Sequence, residues 1–135
     1  MKRFYGLVAM MIFVVIAKAQ TSLSFCTFVN NQNSECVFDN TKFITTPDST
    51  HARIFLMLRS NEVFGTQQIT YKVYSLDHNG QEVYLRTVTQ TVQADWMNAW
   101  QPAVFVTPGK YMIKVYKDSV AEKLETSRGF EFFNN

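Results

Sequence analysis

The sequence predicts an all-β fold, a sandwich or barrel built from seven or eight short strands. Three observations predict it. Short runs rich in Val, Ile, Tyr, Thr and Phe recur along the chain, each bounded by turn-forming residues. No window sustains a 3.6-residue apolar period, and the best helical candidate, residues 94–100, is too short to stand alone. A hydrophobic content of 47% with 15% aromatics belongs to a chain with a packed core rather than a disordered one.

The first element is an address. Lys2 and Arg3 form a basic start, residues 4–17 are apolar and uncharged, and Ala17-Lys18-Ala19 supplies the small-x-small pattern of a signal-peptidase site. The expectation is a cleaved leader over residues 1–19 and one domain over residues 20–135. A run of 14 apolar residues falls short of the roughly 20 that a spanning helix needs. Lipidation is disfavoured because Phe25, not a small residue, precedes Cys26 and polar residues intervene after the apolar run. The expected location is therefore secreted, periplasmic or at the cell surface, with no stable membrane span once the leader is gone. Removal of Lys2, Arg3 and Lys18 leaves ten basic residues against eleven acidic ones. A near-neutral domain without a basic run carries no electrostatic footprint for nucleic acid.

The next element is a hairpin. Residues 24–29 and 33–38 pair around Asn30-Asn31-Gln32 in a register that sets Cys26 directly opposite Cys36. An oxidising compartment makes a structural disulfide the default for such a pair. Residues 43–46 form a short edge piece ahead of Pro47.

Residues 53–59 read as an apolar strand bounded by arginines and buried on both faces. Residues 68–76 and 82–92 flank Asp77-His78-Asn79-Gly80, the signature of a three-residue hairpin loop with a left-handed Gly80. That loop sets Tyr74 against Tyr84, Val73 against Leu85 and Lys72 against Arg86, separating an apolar face from a polar one. Turn chemistry accounts for the Asp-x-Asn-Gly run, and the further oxygen ligands of a calcium loop are missing. Residues 103–106 and 111–116 lie either side of a Pro108-Gly109 turn, and residues 122–127 and 129–133 finish the chain.

The segment Pro108-Gly109-Lys110-Tyr111-Met112-Ile113-Lys114-Val115-Tyr116 resembles the sixth strand of immunoglobulin-like and fibronectin-like β-sandwiches of secreted bacterial proteins. In those folds a Tyr opening this strand forms a tyrosine corner, its hydroxyl bonded back to nearby backbone. The resemblance covers roughly residues 52–133 and lacks the antibody-type Cys…Trp…Cys spacing. It implies a two-sheet antiparallel immunoglobulin-like sandwich of seven or eight strands. It implies no function, because such sandwiches host many activities.

If the strands follow that order, residues 111–116 lie beside residues 68–76, with Tyr111, Ile113 and Val115 inward. Lys72, Tyr74, Tyr84, Arg86, Lys114 and Tyr116 then share an outer face with the composition of an interface or of a site for an acidic glycan. The same tyrosines also suit an ordinary sheet surface, where they make good cross-strand pairs. Trp96 and Trp100, in the connection ahead of residues 103–106, form a second candidate. They either stack a sugar ring or plug one end of the sandwich, and the plug is the favoured expectation.

Catalytic patterns are missing: there is no Gly-x-Ser-x-Gly, His-Glu-x-x-His, phosphate loop or dinucleotide fingerprint. The two histidines, His51 and His78, have no motif-spaced partners. The expectation is an exported, non-catalytic binding module with no cofactor or metal, whose partner is a protein or a glycan. A carbohydrate-binding module using exposed aromatics is the alternative, and a structural or adhesion subunit is the third.

Overall fold

The arginine-bounded run of residues 53–59 forms the heart of β4 (Ala52–Ser60). Ile54, Leu56 and Leu58 enter the main core, while Met57 on the opposite face is equally buried. A strand covered on both faces needs no apolar–polar alternation, and this one has none. The structure is a computed structural model that describes residues 20–30, 32–33, 35–45, 52–117 and 124–134. The expected leader, His51 and the start of the last predicted strand at Glu122 lie outside the described residues.

Nine strands form among the described residues. β1 (Thr21–Asn30), β2 (Glu35–Asp39) and β7 (Asn98–Phe105) join β4 in a sheet of order β2-β1-β4-β7. The other sheet comprises β3 (Lys42–Thr45), β5 (Gln68–Leu76), β6 (Glu82–Thr91), β8 (Gly109–Lys117) and β9 (Leu124–Asn134), in the order β3-β9-β8-β5-β6. All neighbours are antiparallel except β3 and β9, which run parallel. The arrangement is an immunoglobulin-like sandwich, with β8 between β5 and β9 as the resemblance implied.

Alternation places one apolar row of most strands between the sheets. Tyr71, Val73, Ile113 and Val115 from one sheet meet Phe25, Leu56 and Phe105 from the other. Phe130 is the aromatic hub, with ring centres 5.0 Å from Phe25, 4.8 Å from Phe105 and 5.3 Å from Tyr111. The Tyr111 hydroxyl donates to the Thr107 carbonyl four residues upstream, which completes the expected tyrosine corner. Asp39 fastens the crossing of the chain between sheets: it accepts from Arg128 at 2.6 Å and from the Phe25 amide at 3.0 Å.

Local details depart from expectation in four places. The disulfide forms, with Cα atoms 5.4 Å apart, but the ladder sets Cys36 against Val29 and Cys26 against Asp39. β1 pairs with β4 only as far as Cys26, and Phe38 takes a left-handed φ of 55°. Val29 and Cys36 then pack with Cys26, Met57, Phe55 and Trp100 in a second apolar cluster on the outer face of this sheet. Burial in that cluster decides the register, and a hairpin turn alone does not encode it.

The β5–β6 loop is the expected one: Gly80 donates to the Asp77 carbonyl at 2.9 Å, and Asp77 pairs with Gln81. Tyr74 lies opposite Tyr84, yet a bulge at the next rung sets Val73 against Arg86 and Lys72 against Thr87. Residues 94–97 turn into β7, which begins at Asn98, so Trp100 sits on a strand rather than in a connection. The two closing segments join as the single strand β9, paired with β8.

Candidate functional site

β6 ends one sheet and β7 ends the other, and the two free edges meet along one flank of the sandwich. Side chains of β6 bridge the seam. Arg86 Nη2 donates to the Val104 carbonyl at 2.8 Å, and Gln90 Nε2 donates to the Trp100 carbonyl at 2.9 Å. Pro102 lies between those two carbonyls, a position without an N–H that an edge strand tolerates.

At Gln90 the seam opens into a cleft of about 570 Å³. Gln90 and Thr91 come from β6, Asn98, Ala99 and Trp100 from β7, and Trp96 and Met97 from the connection between them. That connection is pinned by its backbone. The amides of Ser60, Phe64 and Gly65 donate to the carbonyls of Met97, Trp96 and Ala94, each at 2.8 Å. Gly65 makes this approach at φ 66°, which favours glycine. Trp96 thus has a fixed main chain, and the residue is 41% exposed. The Trp100 ring stands edge-on to Phe55, 5.7 Å between centres, with the Arg53 guanidinium 5.4 Å from the far partner's ring.

Gln90 joins the cleft to the core. Its Oε1 accepts from the buried Tyr71 hydroxyl at 2.8 Å, while its nitrogen holds the Trp100 carbonyl. Burial pushes the Tyr71 hydroxyl well above the usual tyrosine range, so it remains a donor.

The structure therefore brings Trp96 and Trp100 together, but not as a plug. Neither belongs to the core cluster between the sheets: Trp100 packs on the outer-face cluster and Trp96 is part-exposed. Gln90 was missed from sequence because nothing in Thr89-Gln90-Thr91 distinguishes it; its position depends on which edge faces β6.

The tyrosine face is assembled in part. Lys72 and Lys114 lie directly opposite, Lys72 Nζ 5.5 Å from the Tyr116 ring centre and Lys114 Nζ 4.9 Å from that of Tyr74. Tyr74 and Tyr84 meet edge-to-face at 5.9 Å. Lys114 is also held by Glu82 at 2.6 Å, a hydrogen bond that raises its pKa. Tyr84 shares a 2.6 Å hydrogen bond with Thr87. Arg86 has left this face, because a one-residue slip turns a side chain to the other side of a sheet. What remains is a ladder of polar tips that largely satisfy one another. Among the described residues no cluster of three or more His, Cys, Asp or Glu side chains forms.

A solved structure of an immunoglobulin-like protein from Pseudomonas aeruginosa is similar over 87% of this chain and 98% of its own, with a TM-score of 0.55 and 11% sequence identity. Likeness at that identity is one of fold alone. No family model matches the chain, and no curated protein matches it in sequence.

Proposed function

We propose that this immunoglobulin-like chain is an exported, non-catalytic binding module that takes its ligand in the cleft lined by Trp96 and Trp100. One observation carries the reading: both tryptophans of the chain line the same open cleft, beside amide and hydroxyl side chains. Its volume lies in the range of small-ligand sites. Aromatic surface with a few convergent polar groups is the composition such sites share. A disulfide-bonded sandwich suits an oxidising compartment outside the cytosol, in keeping with the basic and apolar start of the sequence.

Attachment of a partner strand along β7, the adhesion-subunit alternative, is less well supported. Two carbonyls of that edge are already taken by Arg86 and Gln90. The tyrosine ladder, for its part, spends its charged groups on internal pairs.

The two tryptophans make the test direct. Their indole N–H resonances form an isolated pair of signals, and both report on the cleft. Protein and carbohydrate fractions from a cell surface are titrated into the labelled protein. Binding is expected to move one or both indole signals and to leave the Tyr74 and Tyr84 signals in place. A ligand that binds while both indole signals stay still overturns the assignment.

A further inference from the structure

The described residues that line the cleft are two tryptophans, a methionine, an alanine, two carboxamides and a threonine, none of them ionisable. A charged ligand placed there would lose water and find no counter-charge in the lining. A wholly apolar ligand would cover Gln90 and Asn98 and leave unmet the hydrogen-bonding capacity that Gln90 has not spent on Tyr71 and Trp100. The lining instead matches a neutral molecule with flat apolar faces and hydroxyls around its rim.

Gln90 narrows the match. The Trp100 carbonyl can only accept, so the amide nitrogen of Gln90 must face it, and Oε1 is the atom that takes the Tyr71 proton. Held at both ends, the amide keeps one N–H and one oxygen lone pair for a ligand. A donor and an acceptor side by side on a rigid amide suit two adjacent ring hydroxyls, one accepting and the other donating. Trp96, part-exposed in the lining, supplies the apolar surface against which a sugar ring packs its C–H face, while the Trp100 ring is held against Phe55.

We infer that the cleft binds a neutral glycan, with a vicinal pair of hydroxyls on Gln90 and a ring face against Trp96. This rests on the cleft being the ligand site. It names the ligand class, and it sets apart acidic glycans, which an array of lysines would be needed to attract.

The test uses the purified protein and soluble gluco-, manno-, galacto- and xylo-oligosaccharides, each carried to millimolar concentration while the two indole signals are followed. Uronate-containing and sulfated oligosaccharides form the second arm. At least one neutral series is expected to saturate, with acidic counterparts at least tenfold weaker. Trp96→Ala is expected to weaken binding tenfold or more, while Trp96→Phe keeps most of it. Both should melt close to the parent, because this indole lies outside the core. A Tyr74→Ala/Tyr84→Ala variant should bind as the parent does. Equal or tighter binding of the acidic arm overturns the inference, and so does silence of both indole signals toward every neutral series. If another class of ligand moves those signals instead, the sugar fails and the cleft stands. A glycan that binds without moving them overturns both.

Discussion

Arg86 crosses the seam between the two sheets to donate to the Val104 carbonyl, and its guanidinium lies 5.2 Å from the centre of the Phe105 ring. The contact exists because β6 slips one rung against β5 after Tyr84. The slip takes Arg86 off the tyrosine face and points it at the free edge of β7. An open strand edge is a template for pairing with another chain, and covering its carbonyls is one way a sandwich avoids this.

Arg86→Ala is therefore expected to cost about 1 kcal/mol, through a lost charge-assisted hydrogen bond at an exposed site and lost packing on Phe105. It should also increase self-association as the β7 edge opens. Arg86→Lys should recover only part of both, because an ammonium lacks the planar fork that stacks and donates together. Urea unfolding and sedimentation velocity read the two effects. An unchanged sedimentation profile for Arg86→Ala would remove the edge-guarding explanation.

Reduction of Cys26–Cys36 should destabilise the domain. The bridge closes a loop with a sequence separation of 10, for which chain entropy gives about 2.5–3 kcal/mol. Loss of the bridge should also loosen Phe55 and Trp100, which pack in the same outer cluster. The expected result is a lower melting temperature in reductant, with a redder tryptophan emission before the main transition. A melt indifferent to reductant would deny the bridge any structural part.

Stability should fall on the alkaline side. A tyrosine in the unfolded chain titrates near 10.0, while burial raises the values of Tyr71 and Tyr111 in the folded one. Above pH 10 the folded chain then holds more protons than the unfolded chain. The stabilisation is complete below the unfolded value and is lost as pH rises through it toward the folded values, at up to about 1.4 kcal/mol per pH unit for the deeply buried Tyr71 and with a smaller weight for Tyr111. Lys114, raised chiefly by its hydrogen bond to Glu82, acts in the same direction at the exposed surface with a smaller weight. Urea midpoints measured from neutral to strongly alkaline pH should show this decline. Tyr71→Phe should be less stable at neutral pH yet lose less as the pH is raised.

Gln101 offers a gain. Its Nε2 is buried without a hydrogen-bond partner among the described residues, on a strand whose neighbouring rung is Leu56. An unsatisfied buried donor costs about 1–3 kcal/mol. Gln101→Leu or Gln101→Met is expected to raise stability by about 1 kcal/mol in denaturant unfolding. A loss of that size would mean that the amide has a partner in solution, such as a bound water.

Much of this molecule is written in short stretches of chain. Asp77-His78-Asn79-Gly80 needs only its own residues to make its turn, because Asp77 Oδ1 caps the Asn79 and Gln81 amides at 2.9 Å and Gly80 takes a φ of 78°. Residues 53–59 announce burial on both faces by their lack of alternation. Pro108-Gly109 followed by Tyr111 marks a tyrosine corner. These signals are local, so the fold class and the inward row of β8 could be read from sequence, while the full order of the strands could not.

The site could not, because it consists of relations between distant segments. The one-rung slip between β5 and β6 is a compromise among packing, twist and the reach of Arg86, and no single residue announces it. Cysteine chemistry foretold the bond between Cys26 and Cys36, whereas the ladder around it follows from burying Val29 and Cys36 against Met57. Two tryptophans four positions apart were visible from the start. That they line one cleft with Gln90 depends on which free edges face each other across the seam, and only the packing of one sheet on the other decides that.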